Sequence, residues 1–243
     1  MALDFSRLDE AIQFARRVAD QVGMFKINIH LFTAAGPQAV REIAGLGCGV
    51  FLDLKYHDIP NTVAGAVAAA AGLPGIELLN VHASGGLEMM RAAAKSLAEA
   101  APQHARPKLI AVTILTSLDQ QALRQIGMSG SPKARVVSLA RLARKAGLDG
   151  VVASPREVRA IRQACGKDFL IVVPGVRPRE KGAKRRDDQA RVATPGEAIR
   201  DGADYLVVGR PITAAADPVA ATQAIVDEIA GAMAASRSAA SRK

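Results

Sequence analysis

Residues Asp53-Leu54-Lys55-Tyr56-His57-Asp58-Ile59-Pro60-Asn61-Thr62 hold the densest chemistry in this chain. The run from Val50 reads as a buried strand, apolar until it ends in alternating charges. Side chains two apart on a strand share a face, so Asp53 and Lys55 are expected to emerge side by side. Asp58 follows within a short loop, and Pro60 stops any regular extension. Two carboxylates and an ammonium at the tip of an apolar strand are costly to bury, and they persist mainly where each charge is paired and used. The competing reading is a structural ion pair that caps the strand.

The elements that must position these groups alternate along the chain. Strand-like runs fall at 2–4, 24–29, 50–54, 76–81, 108–113, 150–153, 169–173 and 205–208. Helical patterns lie between them, for example at 8–22, 34–46, 63–71 and 87–100. Gly36-Pro37, Gly147, Pro155, Pro174-Gly175, Pro195 and Pro211 punctuate the joins. Eight short strands, each followed by a helix, predict an α/β fold, a single-domain (β/α)8 TIM barrel over residues 1–233. A doubly wound open sheet is the runner-up, but neither GxGxxG nor a Walker A motif is present. Residues 234–243, rich in Ala, Ser and Arg, are expected to form a basic, disordered tail.

In such a barrel the site forms where strands end and βα loops begin. Those positions carry Asp4, Lys26, Asp53 with Lys55, His82, Thr113 with Thr116, Ser154, Arg177, and Gly209 with Arg210. Polar residues thus gather at one end of an otherwise apolar set of strands. Lys26 interrupts an apolar run, which sets it apart from a plain surface lysine.

The 243 residues are nearly half apolar, mostly Ala, Val, Leu and Ile, with no Trp and two Tyr. That suits helices packed on a parallel sheet. The net charge of +9 raises the question of nucleic acid. Its distribution argues against it: cations cluster between Arg177 and Arg191 with no aromatics interleaved for base stacking. That cluster reads as an anion-binding loop. Cys48 and Cys165 show no metal or redox spacing. No signal-peptide region and no membrane span is expected, and the chain reads as cytoplasmic. A metal site is disfavoured because lysines already neutralise the carboxylates. Asp119, Asp149 and Asp204 read as caps or turn residues.

The chain closely resembles the orotidine 5'-phosphate decarboxylase family. The resemblance rests on Ala2-Leu3-Asp4, Phe25-Lys26, the string from Asp53 to Thr62, Asn80-Val81-His82-Ala83, Leu115-Thr116-Ser117, Pro174 to Pro178, Asp188 to Val192, and Val208 to Ile212. It implies conversion of orotidine 5'-phosphate to UMP without a cofactor, by electrostatic stabilisation of a carbanion and proton delivery from Lys55. Asp53 and Asp58 would hold that ammonium in direction, and Lys26 would complete the charge network and contact the ribose. The residue matching Asp58 reaches into the partner subunit's site, which implies a homodimer. Asp4 would accept a ribose hydroxyl, and Ile59, Thr62 and Thr116 would contact substrate. Arg177, Gln189, Gly209 and Arg210 match the phosphate-binding positions.

Two departures stand out. The sequence begins almost at Asp4, so a short first strand is expected, and Asn28 stands where the family commonly has Gly. Two other function classes compete. One is a metal-dependent sugar-phosphate aldolase or decarboxylase of the same barrel group, which needs further acidic strand ends. The other is a non-catalytic nucleotide-binding barrel, which would be expected to have lost part of the charge network.

Overall fold

A computed structural model describes residues 1–101, 106–178 and 193–240, the last five as backbone. Eight strands form one sheet in the order of the sequence, β1 (Ala2–Leu3), β2 (Met24–Asn28), β3 (Gly49–Tyr56), β4 (Ile76–His82), β5 (Lys108–Val112), β6 (Gly150–Val152), β7 (Leu170–Pro174) and β8 (Tyr205–Val207). Pairing is parallel from β1 through β5 and between β7 and β8. A doubly wound sheet reverses its strand order part-way; this one never does. The fold class is therefore the (β/α)8 barrel that the alternation predicts.

The chain divides into two compact units, Met1–Thr113 with Leu139–Val151, and Ile114–Ser138 with Val152–Lys243. In the first, Phe25 and Ile27 of β2 are fully buried while Lys26 and Asn28 alternate with them, as a period of two demands. Helix α1 (Leu8–Val18) buries Ala11, Phe14, Ala15 and Val18, and its first and last turns carry Asp9 with Glu10 and Arg16 with Arg17. These charges complement the helix dipole.

The helix expected at 34–46 is two helices, α2 (Ile29–Ala35) and α3 (Pro37–Ala44). Gly36 at φ +58° breaks them, and Pro37 restarts the chain as a first-turn residue. Asn28 caps α2, so Ile29 opens a helix instead of closing β2. Helix α4 (Pro60–Ala71) begins at Pro60, followed by α5 (Gly86–Ala100), then by α6 (Gln120–Gln125) of the second unit and by α7 (Pro132–Lys145), which has residues in both units.

In the second unit, α8 (Val158–Cys165), α9 (Pro195–Arg200), α10 (Arg210–Thr213) and α11 (Pro218–Ala240) complete the chain. Helix α11 continues into the stretch assigned to the tail; residues 241–243 lie outside the described residues. Among the described residues, no helix is long and apolar enough to cross a membrane.

Two of the three aspartates read as caps or turn residues tie strand starts together. Asp149 takes the Leu109 N–H at 2.8 Å and Arg106 Nη2 at 2.7 Å, and Asp204 takes the Ile171 N–H at 2.7 Å and Arg162 Nη2 at 2.7 Å. Only Asp119 is a helix cap. Arg162 also donates to the carbonyls of Gly166, Lys167, Phe169 and Gly202, all within 2.6–2.9 Å. Replacing it removes the guanidinium donor from those carbonyls and from Asp204, which keeps only the Ile171 N–H, so Arg162→Met is expected to destabilise the chain by about 2–4 kcal/mol. Urea unfolding checks this; a midpoint equal to the parent's would show the network to be dispensable.

Candidate active site

Strand β2 pairs with β3 so that Asn28 faces Asp53. The pairing brings the side chains of Lys26, Asp53 and Lys55 into one chain of alternating charge. Lys26 Nζ lies 3.0 Å from Asp53 Oδ2 and 3.9 Å from Asp4 Oδ1, and Lys55 Nζ lies 2.6 Å from Asp53 Oδ1. Asp53 is 8% exposed, with the two ammonium groups as its counter-charges. Burial pushes its carboxyl upward, and the charges of Lys26 and Lys55, with hydrogen bonds from Lys55 and Asn80, overcome that push. The net result is a carboxyl held below the usual 3.8.

Asp53 and Lys55 meet as expected, but not because a regular strand presents them on one face. The β3–β4 register runs Leu52↔Leu79 and then Tyr56↔Val81. Four steps along β3 (52 to 56) match two along β4 (79 to 81), so β3 carries two extra residues as a bulge opposite Asn80. Lys55 sits within it at φ +54°, alone among the described non-glycine residues in having a positive φ. A side chain in that region costs about 1–2 kcal/mol, and such outliers cluster at functional sites.

Asn80 is fully buried and was quoted in the sequence only as part of a motif, with no role. Its Oδ1 accepts the Lys55 backbone N–H at 2.8 Å and its Nδ2 donates to Asp53 Oδ1 at 2.6 Å. The signal was available: an amide amid the apolar residues of β4. Asn28 stood out in the sequence as a departure, but its role did not. Its Oδ1 accepts the Leu31 N–H at 2.9 Å and its Nδ2 donates to Asp4 Oδ1 at 2.8 Å, so this departure from the family's Gly both caps α2 and orients the Asp4 carboxylate.

Asp58 stands apart from this network. It is exposed, and its carboxylate takes the adjacent Ile59 N–H at 2.6 Å; among the described residues it forms no ion pair. Ile59 is 67% exposed and Thr62 is exposed in the first turn of α4. The His57 and His82 rings stack with centroids 5.4 Å apart, and Ser84 Oγ lies 2.7 Å from His82 Nδ1. Burial, then the charges of His57 and Lys55, push the His82 pKa below its ordinary value and so favour the neutral ring.

In the second unit, Thr116 lies in the turn between β5 and α6, and the Arg177 N–H donates to Ala193 O at 3.1 Å. Gly209 caps α10, its carbonyl accepting the Ile212 and Thr213 N–H groups, and Arg210 is exposed at the start of that helix. Gln189, His104 and the cations from Arg179 to Arg191 lie outside the described residues. Among the described residues, no group of three or more His, Cys, Asp or Glu side chains is placed to hold a metal.

The model of the orotidine 5'-phosphate decarboxylase / HUMPS family matches residues 1–225. The chain belongs to that family. It is 55% identical to the orotidine 5'-phosphate decarboxylase of Moorella thermoacetica, over 94% of this chain and 90% of that one. The enzyme of the same name from Pelobacter propionicus is 56% identical, over 94% and 93%. The crystal structure of orotidine 5'-phosphate decarboxylase from Lactobacillus acidophilus superposes with a TM-score of 0.80 at 38% identity, covering 94% of this chain and 96% of that chain.

The balance at Asp53 is directly testable. Lys26→Met or Lys55→Met removes an opposing charge and leaves burial, so the Asp53 carboxyl should titrate higher than in the parent by ¹³C NMR. Because its folded pKa lies below 3.8, its contribution to stability is complete above about pH 3.8 and is lost as pH falls through the folded value. Either variant should therefore lose acid stability in that window. An unmoved titration would show that the ammonium groups do not set this carboxyl.

Proposed function

We propose that this chain decarboxylates orotidine 5'-phosphate to UMP, with Lys55 as the proton donor and no cofactor. The observation that carries the reading is the Asp4–Lys26–Asp53–Lys55 chain of alternating charges, with the only positive-φ side chain of the described residues at the donor lysine. The bond from the pyrimidine ring to its carboxylate breaks, CO2 leaves, and the electron pair stays on the ring carbon. Lys55 stabilises the developing charge as an ammonium and then protonates that carbon; solvent returns the proton. Preorganised charge of this kind lowers the barrier because it needs no reorientation as the reaction proceeds.

The substrate's remaining contacts are assigned by the motifs they match. Asp4 and Lys26 take the ribose, Thr116 with Ile59 and Thr62 contact the nucleoside, and Arg177, Gln189, Gly209 and Arg210 take the phosphate. Binding energy from that unreacting phosphate is available to organise the charged groups. The active form is a homodimer in which each Asp58 completes its partner's charge network. An exposed carboxylate with no ion pair among the described residues, beside an exposed Ile59, supports this.

Loss of orotidylate absorbance in EDTA tests the reaction. Turnover should be rapid and metal-independent; a requirement for Mg2+ and activity on sugar phosphates would favour the other branch of the family. Lys55→Ala should lower kcat by about 10⁴-fold or more while UMP still binds, and near-normal turnover would overturn the donor assignment. Arg210→Ala should lower kcat/KM by about 10²-fold on the phosphorylated substrate and far less on orotidine. Equal losses on both would remove the phosphate assignment.

The shared site has its own test. Mixing inactive Lys55→Ala and Asp58→Ala chains should restore part of the activity, since a mixed dimer holds one site with both residues intact. No recovery after demonstrated subunit exchange would make each site self-contained.

A further inference from the structure

We propose that Asn80 is a positioning residue for the reaction, its side-chain amide holding Lys55 in its bulged backbone conformation and fixing the Asp53 carboxylate against the same lysine. The inference deepens the reading of Lys55 as donor and rests on it.

The hydrogen bonds close a ring. The Lys55 backbone N–H donates to Asn80 Oδ1, Asn80 Nδ2 donates to Asp53 Oδ1, and that same oxygen receives Lys55 Nζ at 2.6 Å. One lysine is thereby gripped at both its main chain and its terminal nitrogen. The amide orientation follows from its partners, because an N–H requires an acceptor and a carboxylate requires a donor.

The bulge explains why a side chain is needed there. With three residues between Leu52 and Tyr56 set against one between Leu79 and Val81, the regular ladder is interrupted at Lys55. The side chain of the single opposing residue supplies the missing acceptor. Asn80 is fully buried, so water is not at hand to replace it. An unpaired buried N–H costs about 1–3 kcal/mol, comparable to the strain of the left-handed Lys55, and would favour relaxation of the bulge.

Few side chains meet these demands. Leucine matches the shape without donor or acceptor, and aspartate at neutral pH sets a second anion against Asp53. A protonated carboxyl restores both functions, its carbonyl accepting from Lys55 and its hydroxyl donating to Asp53.

The test compares Asn80→Leu and Asn80→Asp with the parent on orotidylate. Asn80→Leu should lose about 10²-fold in kcat, the scale of a small misplacement of a reacting group, with KM within about 3-fold since the fully buried residue offers no surface for a substrate to contact. Asn80→Asp should be as impaired at pH 8 and recover kcat as pH falls and its new carboxyl takes a proton. A folded Asn80→Leu with parental kcat, or an Asn80→Asp profile parallel to the parent's, would overturn the proposal. If Asn80→Leu does not fold, the Asn80→Asp profile decides.

A second readout does not depend on turnover. The Asp53 carboxyl should titrate higher in Asn80→Leu than in the parent, having lost a donor; an unmoved titration counts against the grip on Asp53. A parent chain inactive on orotidylate would refute the reaction assigned above and leave this structural result standing.

Discussion

The buried carboxylate of Asp53 is the constraint around which the first unit is arranged. A carboxylate at 8% exposure is tolerable only where each oxygen has partners, and here one oxygen takes Lys55 and Asn80 while the other takes Lys26. Those partners come from three consecutive strands. Lys26 stands on β2, Lys55 on β3 and Asn80 on β4, so the parallel, sequential order of strands is what makes the cluster possible. The apolar neighbours Phe25, Ile27, Leu52 and Leu79 are fully buried and hold those strands in register.

The local irregularity at Lys55 follows from that arrangement. A regular β3 would pair its residues one for one with β4 and leave no interruption for Asn80 to fill. The two extra residues spend backbone energy, and the ring through Asn80 returns hydrogen bonds that a bulge otherwise leaves open. Strain at Lys55 and burial of Asn80 are thus two sides of one device, in which a polar side chain in a core strand substitutes for a missing ladder bond.

The sequence displayed the ingredients more fully than their assembly. Strand alternation, the sequential barrel and the nearness of Asp53 to Lys55 were legible, because periodicity and charge spacing are local properties of the chain, whereas the place of Lys26 beside them was implied only by the family resemblance. The reason that Asp53 and Lys55 meet was not legible. It depends on register with β4, some twenty-five residues away, which no spacing within β3 reports. Asn80 carried no role, and Asn28 stood out only as a departure without one, for the same reason: the contact each makes across strands, with Asp53 and Asp4, is intelligible only once the partner strand is known. Gly36-Pro37 was visible as punctuation, yet its effect, a helix split in two with Asn28 as a new cap, required the backbone geometry. Asp149 and Asp204 read as cap or turn residues and do sit in bends, but each also pins a strand start with an arginine, which their local sequence does not report.

Within one chain the cluster holds two carboxylates, Asp4 and Asp53, and two ammonium groups, Lys26 and Lys55, in alternation. Such a set is near neutral, which limits the cost of assembling it in a folded chain, yet each member generates a strong local field. A reaction that moves negative charge from a carboxylate to a ring carbon gains from a field that varies over a few ångströms, not from a large net charge. Fixed direction then matters more than the number of charges. A lysine held only at its tip can swing with its long side chain, whereas one fixed also at its backbone N–H offers its charge in a single place. That makes the amide behind the lysine as much a part of the electrostatic design as the charges themselves.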